Sequence, residues 1–141
     1  MTDRMVDILV VDDDELTVEM VARSLAKVGP GFRAIAACDG LEALDILRGR
    51  SPLRLKRPHI VLLDLNMPRM NGFEFLEAIR SDDELSQTVV FVLTTSDADS
   101  DLTRAYREQV AGYMVKSHAG QQFARVASLL CEYRQTVHLP V

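Results

Sequence analysis

Apolar residues along this chain fall into two alternating patterns, short unbroken runs and longer stretches with helical spacing. The runs are Ile8–Val11, Ile60–Leu63, Val89–Leu93 and Tyr113–Val115, with a weaker one at Arg33–Ala37. Short β-branched runs bounded by polar residues predict strands buried on both faces. Between them the spacing turns helical. Val18, Val21, Ala22, Leu25 and Val28 form one face of a helix that Gly29-Pro30-Gly31 stops. Leu41, Leu44 and Leu47 predict a second helix, and Phe73, Leu76 and Ile79 a third. A fourth spans roughly Ser100–Gln109, and Phe123, Val126, Ala127 and Leu130 set the face of a fifth.

Strands that alternate with helices imply an α/β fold around a parallel sheet, doubly wound because right-handed crossovers place helices on both faces. No repeat, low-complexity segment or linker interrupts the pattern, so residues 1–141 are expected to form one domain with no output domain attached. A chain of 141 residues with 48% hydrophobic and 26% charged residues fits an ordinary globular domain. The net charge of −5 argues against a nucleic-acid module, which normally carries a basic footprint. No signal-like or membrane-spanning apolar stretch is present, so a cytoplasmic location is expected. Cys38 and Cys131 sit among apolar neighbours and are expected to be buried small hydrophobes, not a disulfide.

In such folds ligands bind outside the carboxyl ends of the strands. The first strand ends in Asp12-Asp13-Asp14, the third in Asp64, the fourth in Thr94-Thr95-Ser96 and the fifth in Lys116. If the first and third strands are neighbours, Asp12, Asp13 and Asp64 converge. Two carboxylates about 4 Å apart repel by ~4 kcal/mol at an effective dielectric near 20, so the cluster calls for a cation. An all-oxygen set with retained waters suits Mg²⁺. A carboxylate beside such an ion, a lysine and a hydroxyl donor is placed to attack phosphorus, since phosphoryl transfer needs mainly positioning and electrostatic help. Asp64, on the strand expected to be central, is assigned as the nucleophile, with Asp12 and Asp13 holding the metal. Taken singly, each residue has a plainer reading: Asp14 as a helix N-cap, Asn66-Met67-Pro68 as a turn, Thr94 as a strand end, Lys116 as surface charge. Their joint occurrence at four strand ends favours a site.

These residues resemble the receiver domains of two-component response regulators, over nearly the whole chain. The likeness is carried by Ile8-Leu-Val-Val-Asp-Asp13, Asp39-Gly-Leu-Glu-Ala-Leu44, Val61-Leu-Leu-Asp-Leu-Asn-Met-Pro68, Gly72-Phe-Glu-Phe-Leu76, Val92-Leu-Thr94 and Gly112-Tyr-Met-Val-Lys116. The intervals of 30 positions from Asp64 to Thr94 and 22 from Thr94 to Lys116 match the family's register, which selects Thr94 over Thr95. The resemblance implies a flavodoxin-like, five-stranded sheet of order 2-1-3-4-5. It implies a signalling protein, not an enzyme, that accepts a phosphoryl group on Asp64 from a sensor histidine kinase or a histidine phosphotransfer protein. Such a protein assists its own phosphotransfer and dephosphorylation. Asp13, Asp64 and the backbone carbonyl of Asn66 would ligate Mg²⁺, with Asp12 acting through water. Thr94 and Tyr113 would form a switch pair, and Lys116 would meet the phosphoryl oxygens. The signal would leave by protein contact around Tyr106, Tyr113 and Met114, to a downstream partner the sequence does not name. Leu-Thr-Thr-Ser-Asp97, Arg104-Ala-Tyr106, Gln109 and the tail Val137-His-Leu-Pro140 are similar, more narrowly, to small regulators that serve bacterial phytochrome kinases. That likeness implies a homodimer through the last helix and tail.

Three positions depart from the family pattern. Ser117 follows Lys116 where proline is usual, and a cis bond there would cost roughly 2.5–4 kcal/mol, so the bond is expected to be trans or else strained. Asn71 stands where Asp is common, and Gln109 where Gly is common. The Arg48–Pro58 insertion, with Arg48, Arg50, Arg54, Lys56 and Arg57, reads as a solvated loop. His59, His118 and His138 show no ligand spacing and are assigned no role. An aspartyl-phosphate phosphatase or mutase is disfavoured because Asn66 stands where its general acid would. A flavin protein is disfavoured because three carboxylates occupy its phosphate loop. A docking module of the same fold that turns over no phosphate remains the alternative.

Overall fold

Five strands alternate with five helices in the computed structural model, which describes residues 5–117 and 121–141. In chain order they are β1 (Val6–Val11), α1 (Glu15–Val28), β2 (Phe32–Ala37), α2 (Gly40–Leu47), β3 (His59–Leu63), α3 (Gly72–Arg80), β4 (Val89–Thr94), α4 (Asp99–Arg107), β5 (Gly112–Val115) and α5 (Gln121–Thr136). The strands are all parallel, in the order β2-β1-β3-β4-β5. This is the doubly wound, flavodoxin-like arrangement expected from the alternation and the resemblance.

The two-residue period of the strands divides their side chains between two cores. Leu9, Val11, Val61, Leu63, Val90 and Val92 pack with Leu44 of α2, Phe75 of α3 and Ala105 of α4. Ile8, Val10, Ile60, Leu62, Phe91 and Leu93 pack on the opposite face with Val21 and Leu25 of α1 and Val126 and Leu130 of α5. Unbroken apolar runs are what a strand covered on both sides requires. β1, β3 and β4 meet that description. The outer strands do not: in β2 only Ile35 and Ala37 are buried, and in β5 none of the four residues is. An edge strand packs one face and leaves the other open, which is why the Arg33–Ala37 run was weak.

Helix ends follow local chemistry. Asp14 caps α1 by accepting from the Leu16 amide, and Asp39 caps α2 by accepting from Glu42. Asn71 and Glu74 form a reciprocal capping box on α3, so the Asn is a competent cap in its own right. Gln109 adopts a φ of 62°, the left-handed region in which glycine carries no penalty. Arg80 holds the same corner, donating to the carbonyls of Ser86, Thr88, Glu108 and Gln109. Leu41, expected on the apolar face of α2, is exposed; Ala43 and Ile46 face the core instead.

The Arg48–Pro58 insertion is tied down more than a solvated loop would be. The buried Asp7 carboxylate accepts from Arg33 through both oxygens and from the Lys56 amide. Arg33 also reaches the Arg54 carbonyl, and Arg57 the Glu84 carbonyl. The cysteines correct the expectation of burial: both are free, Cys38 is exposed and Cys131 is partly so. Cys38 follows the last residue of an edge strand, where an apolar neighbourhood in sequence does not translate into cover.

Candidate functional site

The sheet brings the predicted residues to one end. Val11 and Leu63 are paired in register, so the next residues, Asp12 and Asp64, leave the sheet side by side. The Asp64 amide donates to the Val11 carbonyl at 2.9 Å, and the Asp12 amide to Ala37 at 3.0 Å, which holds both at the sheet's rim. Thr94 ends β4 opposite Val115, and Lys116 follows, its amide bonded to the Thr94 carbonyl. Carboxylate oxygens of Asp12, Asp13 and Asp64 lie within 4.8 Å of one another. Asp12 and Asp64 are buried, Asp13 is exposed, and Thr94 is fully buried.

Lys116 is the cation that holds this cluster together. Its Nζ donates to Asp12 Oδ2 at 2.7 Å and stands 3.7 Å from Asp64 Oδ2. Burial and the nearby Asp64 charge push the Asp12 carboxyl above its usual range, against the pull of the Lys116 bond and the Asp14 amide. Burial works against the charged lysine, but the Asp12 bond and the surrounding carboxylates outweigh it and hold the ammonium above its ordinary pKa. The site is therefore a desolvated group of carboxylates only partly neutralised from within. Its donor set is entirely oxygen, with one exposed member, which fits a hard divalent cation such as Mg²⁺ that keeps several waters.

Tyr113 and Thr94 both turn toward the β4–α4 loop. The Thr94 hydroxyl accepts from the Ser96 amide at 3.4 Å, and the Tyr113 hydroxyl donates to the Ser96 carbonyl at 2.9 Å. Burial, with the charges of Asp101, Asp97 and Asp64 nearby, raises the phenol's pKa. Asn66 is exposed, and its amide reaches Asp64 Oδ1 at 3.4 Å. The Lys116–Ser117 peptide is trans: among the described residues the one cis bond is Arg57–Pro58. His118 lies outside the described residues.

Sequence reasoning missed a pair beside this site. Asp39, at the end of β2, is buried and bound to Arg69, thirty positions away in the β3–α3 loop. The Asp39-x-x-Glu42 spacing could reveal the cap, but nothing local reveals the arginine.

A family model described as the response regulator receiver domain matches residues 8–127. The probable methanogenesis regulatory protein FilR2 of Methanothrix harundinacea is 35% identical over 126 residues, covering 89% of this chain and 81% of that protein. The response regulator Rcp1 of Synechocystis sp. is 32% identical over 135 residues, covering 94% of this chain and 92% of that protein. Among solved structures, the phosphorylated cyanobacterial phytochrome response regulator RcpA superposes with a TM-score of 0.86 at 30% identity, covering 96% of this chain and 98% of that one. The Mn²⁺-bound form of response regulator Rcp1 gives 0.85 at 30% identity, covering 96% and 99%. The acidic rim, the lysine bridging it and the strand order thus stand in a chain that belongs to the response regulator receiver family and shares its likeness to the small phytochrome-associated regulators.

Proposed function

We propose that this protein is a stand-alone receiver that accepts a phosphoryl group on Asp64 from the phosphohistidine of a kinase or phosphotransfer protein. The observation that carries the reading is Lys116 Nζ, set between Asp12 and Asp64 at 2.7 and 3.7 Å. A carboxylate held beside an ammonium and a cation-binding acidic pair is poised to attack phosphorus. In the transfer an Asp64 oxygen forms the new P–O bond, the donor's P–N bond breaks, and the released imidazole nitrogen takes up a proton. Asp13, Asp64 and the Asn66 carbonyl would hold Mg²⁺, with Asp12 acting through water, and an ion there would supply neutralisation of the transferring group's charge. Thr94 is assigned to hydrogen-bond the phosphoryl oxygens and Lys116 to pair with them.

The signal would leave through the β4–α4 loop. Tyr113 and Thr94 both bond Ser96, so a phosphoryl group that recruits the Thr94 hydroxyl breaks one of two contacts on the same residue. α4, β5 and α5 then form the output surface, where Tyr106 is half exposed. A phytochrome-type kinase as donor and a dimer through α5 and the tail rest on the similarity to RcpA and Rcp1.

Intact-protein mass after incubation with acetyl phosphate tests the reading. A Mg²⁺-dependent gain of one phosphoryl group is expected in the wild type and not in Asp64→Ala. No gain, and no binding of beryllofluoride as a stable phosphoryl mimic, would leave a docking module of this fold.

A further inference from the structure

Asp39 divides its two oxygens between two elements. Oδ1 accepts from the Glu42 amide at 3.0 Å and closes the first turn of α2. Oδ2 accepts from Arg69 Nε at 2.6 Å and lies 2.5 Å from Nη2. The carboxylate side chain is only 3% exposed, whereas the Arg69 side chain is 59% exposed. Burial alone would raise the Asp39 pKa, but the Glu42 amide and the Arg69 guanidinium pull it below its ordinary value. A helix cap accounts for Oδ1. It does not account for a buried second oxygen that, besides a 3.9 Å contact from the Cys38 thiol, takes both its short bonds from an arginine in another loop.

That loop, residues 65–71, carries Asn66 and is fastened at both ends of its arc. At its base the Gly72 amide donates to the Leu65 carbonyl at 3.0 Å. A Cβ on Gly72 would fall 2.6 Å from the Asp64 carbonyl oxygen, so α3 starts directly against the acidic strand end. At its far side the loop leans on the β2–α2 corner. The Gly40 amide donates to the Met70 carbonyl at 3.2 Å, and a Cβ on Gly40 would meet Met70 Cγ at 2.7 Å. Arg69, next to Met70, has a φ of 62°, a conformation disfavoured for any residue with a Cβ. Two guanidinium nitrogens converging on the one buried Asp39 oxygen anchor the side chain of this residue.

We propose that Asp39 and Arg69 are a positioning pair for the cation site, which fixes the 65–71 loop and so sets where the Asn66 carbonyl stands relative to Asp13 and Asp64. The inference rests on the reading of Asn66 as a metal ligand. Neither residue touches the cation; the pair acts through the backbone, as outer partners of metal ligands commonly do.

Mn²⁺ binding to the full chain, followed by the electron paramagnetic resonance of the free ion, separates this role from charge and from capping. Arg69→Ala removes a positive charge near a cation site, which by Coulomb's law alone would tighten binding. Positioning predicts the reverse, a loss of about tenfold in affinity. Asp39→Asn keeps an oxygen to cap α2 and should lose affinity similarly. Affinity unchanged or tighter in Arg69→Ala overturns the proposal. Asp13→Asn, a direct ligand, serves as the control. Wild-type binding that Asp13→Asn leaves intact, or no wild-type binding at all, overturns the cation reading and the positioning pair with it. Binding lost in Asp13→Asn but not in Arg69→Ala overturns the pair alone. Should Arg69→Ala unfold, Arg69→Lys keeps the charge without the planar two-point grip, and affinity equal to wild type would then refute the pair.

Discussion

Asp13 shows most directly how a residue can serve a site at the expense of the fold. It is exposed, yet its carboxylate stands with those of Asp12 and Asp64, and among the described residues Lys116 pairs with the latter two. Without a cation the cluster repels itself. Asp13→Asn should therefore stabilise the metal-free protein by about 0.5–1 kcal/mol in urea titration. The same variant should lose the rise in melting temperature that Mg²⁺ confers on the wild type, because only a folded state that binds the ion gains from it. These residues were legible from sequence because each ends a strand, and strand ends in a parallel sheet share one rim. Asp39–Arg69 was not, because a side-chain bond between two loops leaves no period or spacing behind.

At the level of elements, local signals and tertiary cover contributed unequally. α3 is nine residues long and too short to persist alone, so its capping box matters. Asn71→Ala removes the acceptor for the Glu74 amide and should cost about 1 kcal/mol in equilibrium unfolding. The same change should lower phosphoryl acceptance, since α3 begins against Asp64. β2 gave the weaker apolar run because it lies at an edge and packs little of its surface, whereas the Tyr113–Val115 run located β5 to within one residue although that strand, too, lies at an edge. Cys38 was misread for the same reason: apolar neighbours in sequence do not bury a residue that emerges from an open edge. Gln109 keeps a left-handed φ without being glycine, with its carbonyl held by Arg80 from another helix.

Across the whole molecule, acid should weaken the fold through His59, at the end of the sheet opposite the acidic rim. Its Nδ1 is buried without a partner among the described residues. Burial, with Arg57 nearby, lowers its pKa from 6.5 to about 4 against the opposing pull of Asp7. Between those values the unfolded chain binds a proton that the folded chain refuses. Stability is thus complete above pH 6.5 and falls as the pH drops toward 4, by about 2–3 kcal/mol. Asp7 and Asp39, both lowered, add further loss only as the pH falls below 3.8, whereas Asp12, raised, regains stability as the pH falls through its raised value toward 3.8 and so opposes part of the His59 loss. Urea unfolding of His59→Leu should show a flatter profile between pH 6.5 and 4, and an unchanged slope would refute the assignment. By itself the sequence determined the alternation of strands and helices, the two-faced core and the identity of the rim residues, because hydrophobic period and strand-end chemistry are local properties. Only the tertiary structure decided how little of the edge strands is covered, that Lys116 bridges Asp12 and Asp64, and that Asp39 binds Arg69. Those depend on distances between segments far apart in the chain, which packing sets and no local pattern records.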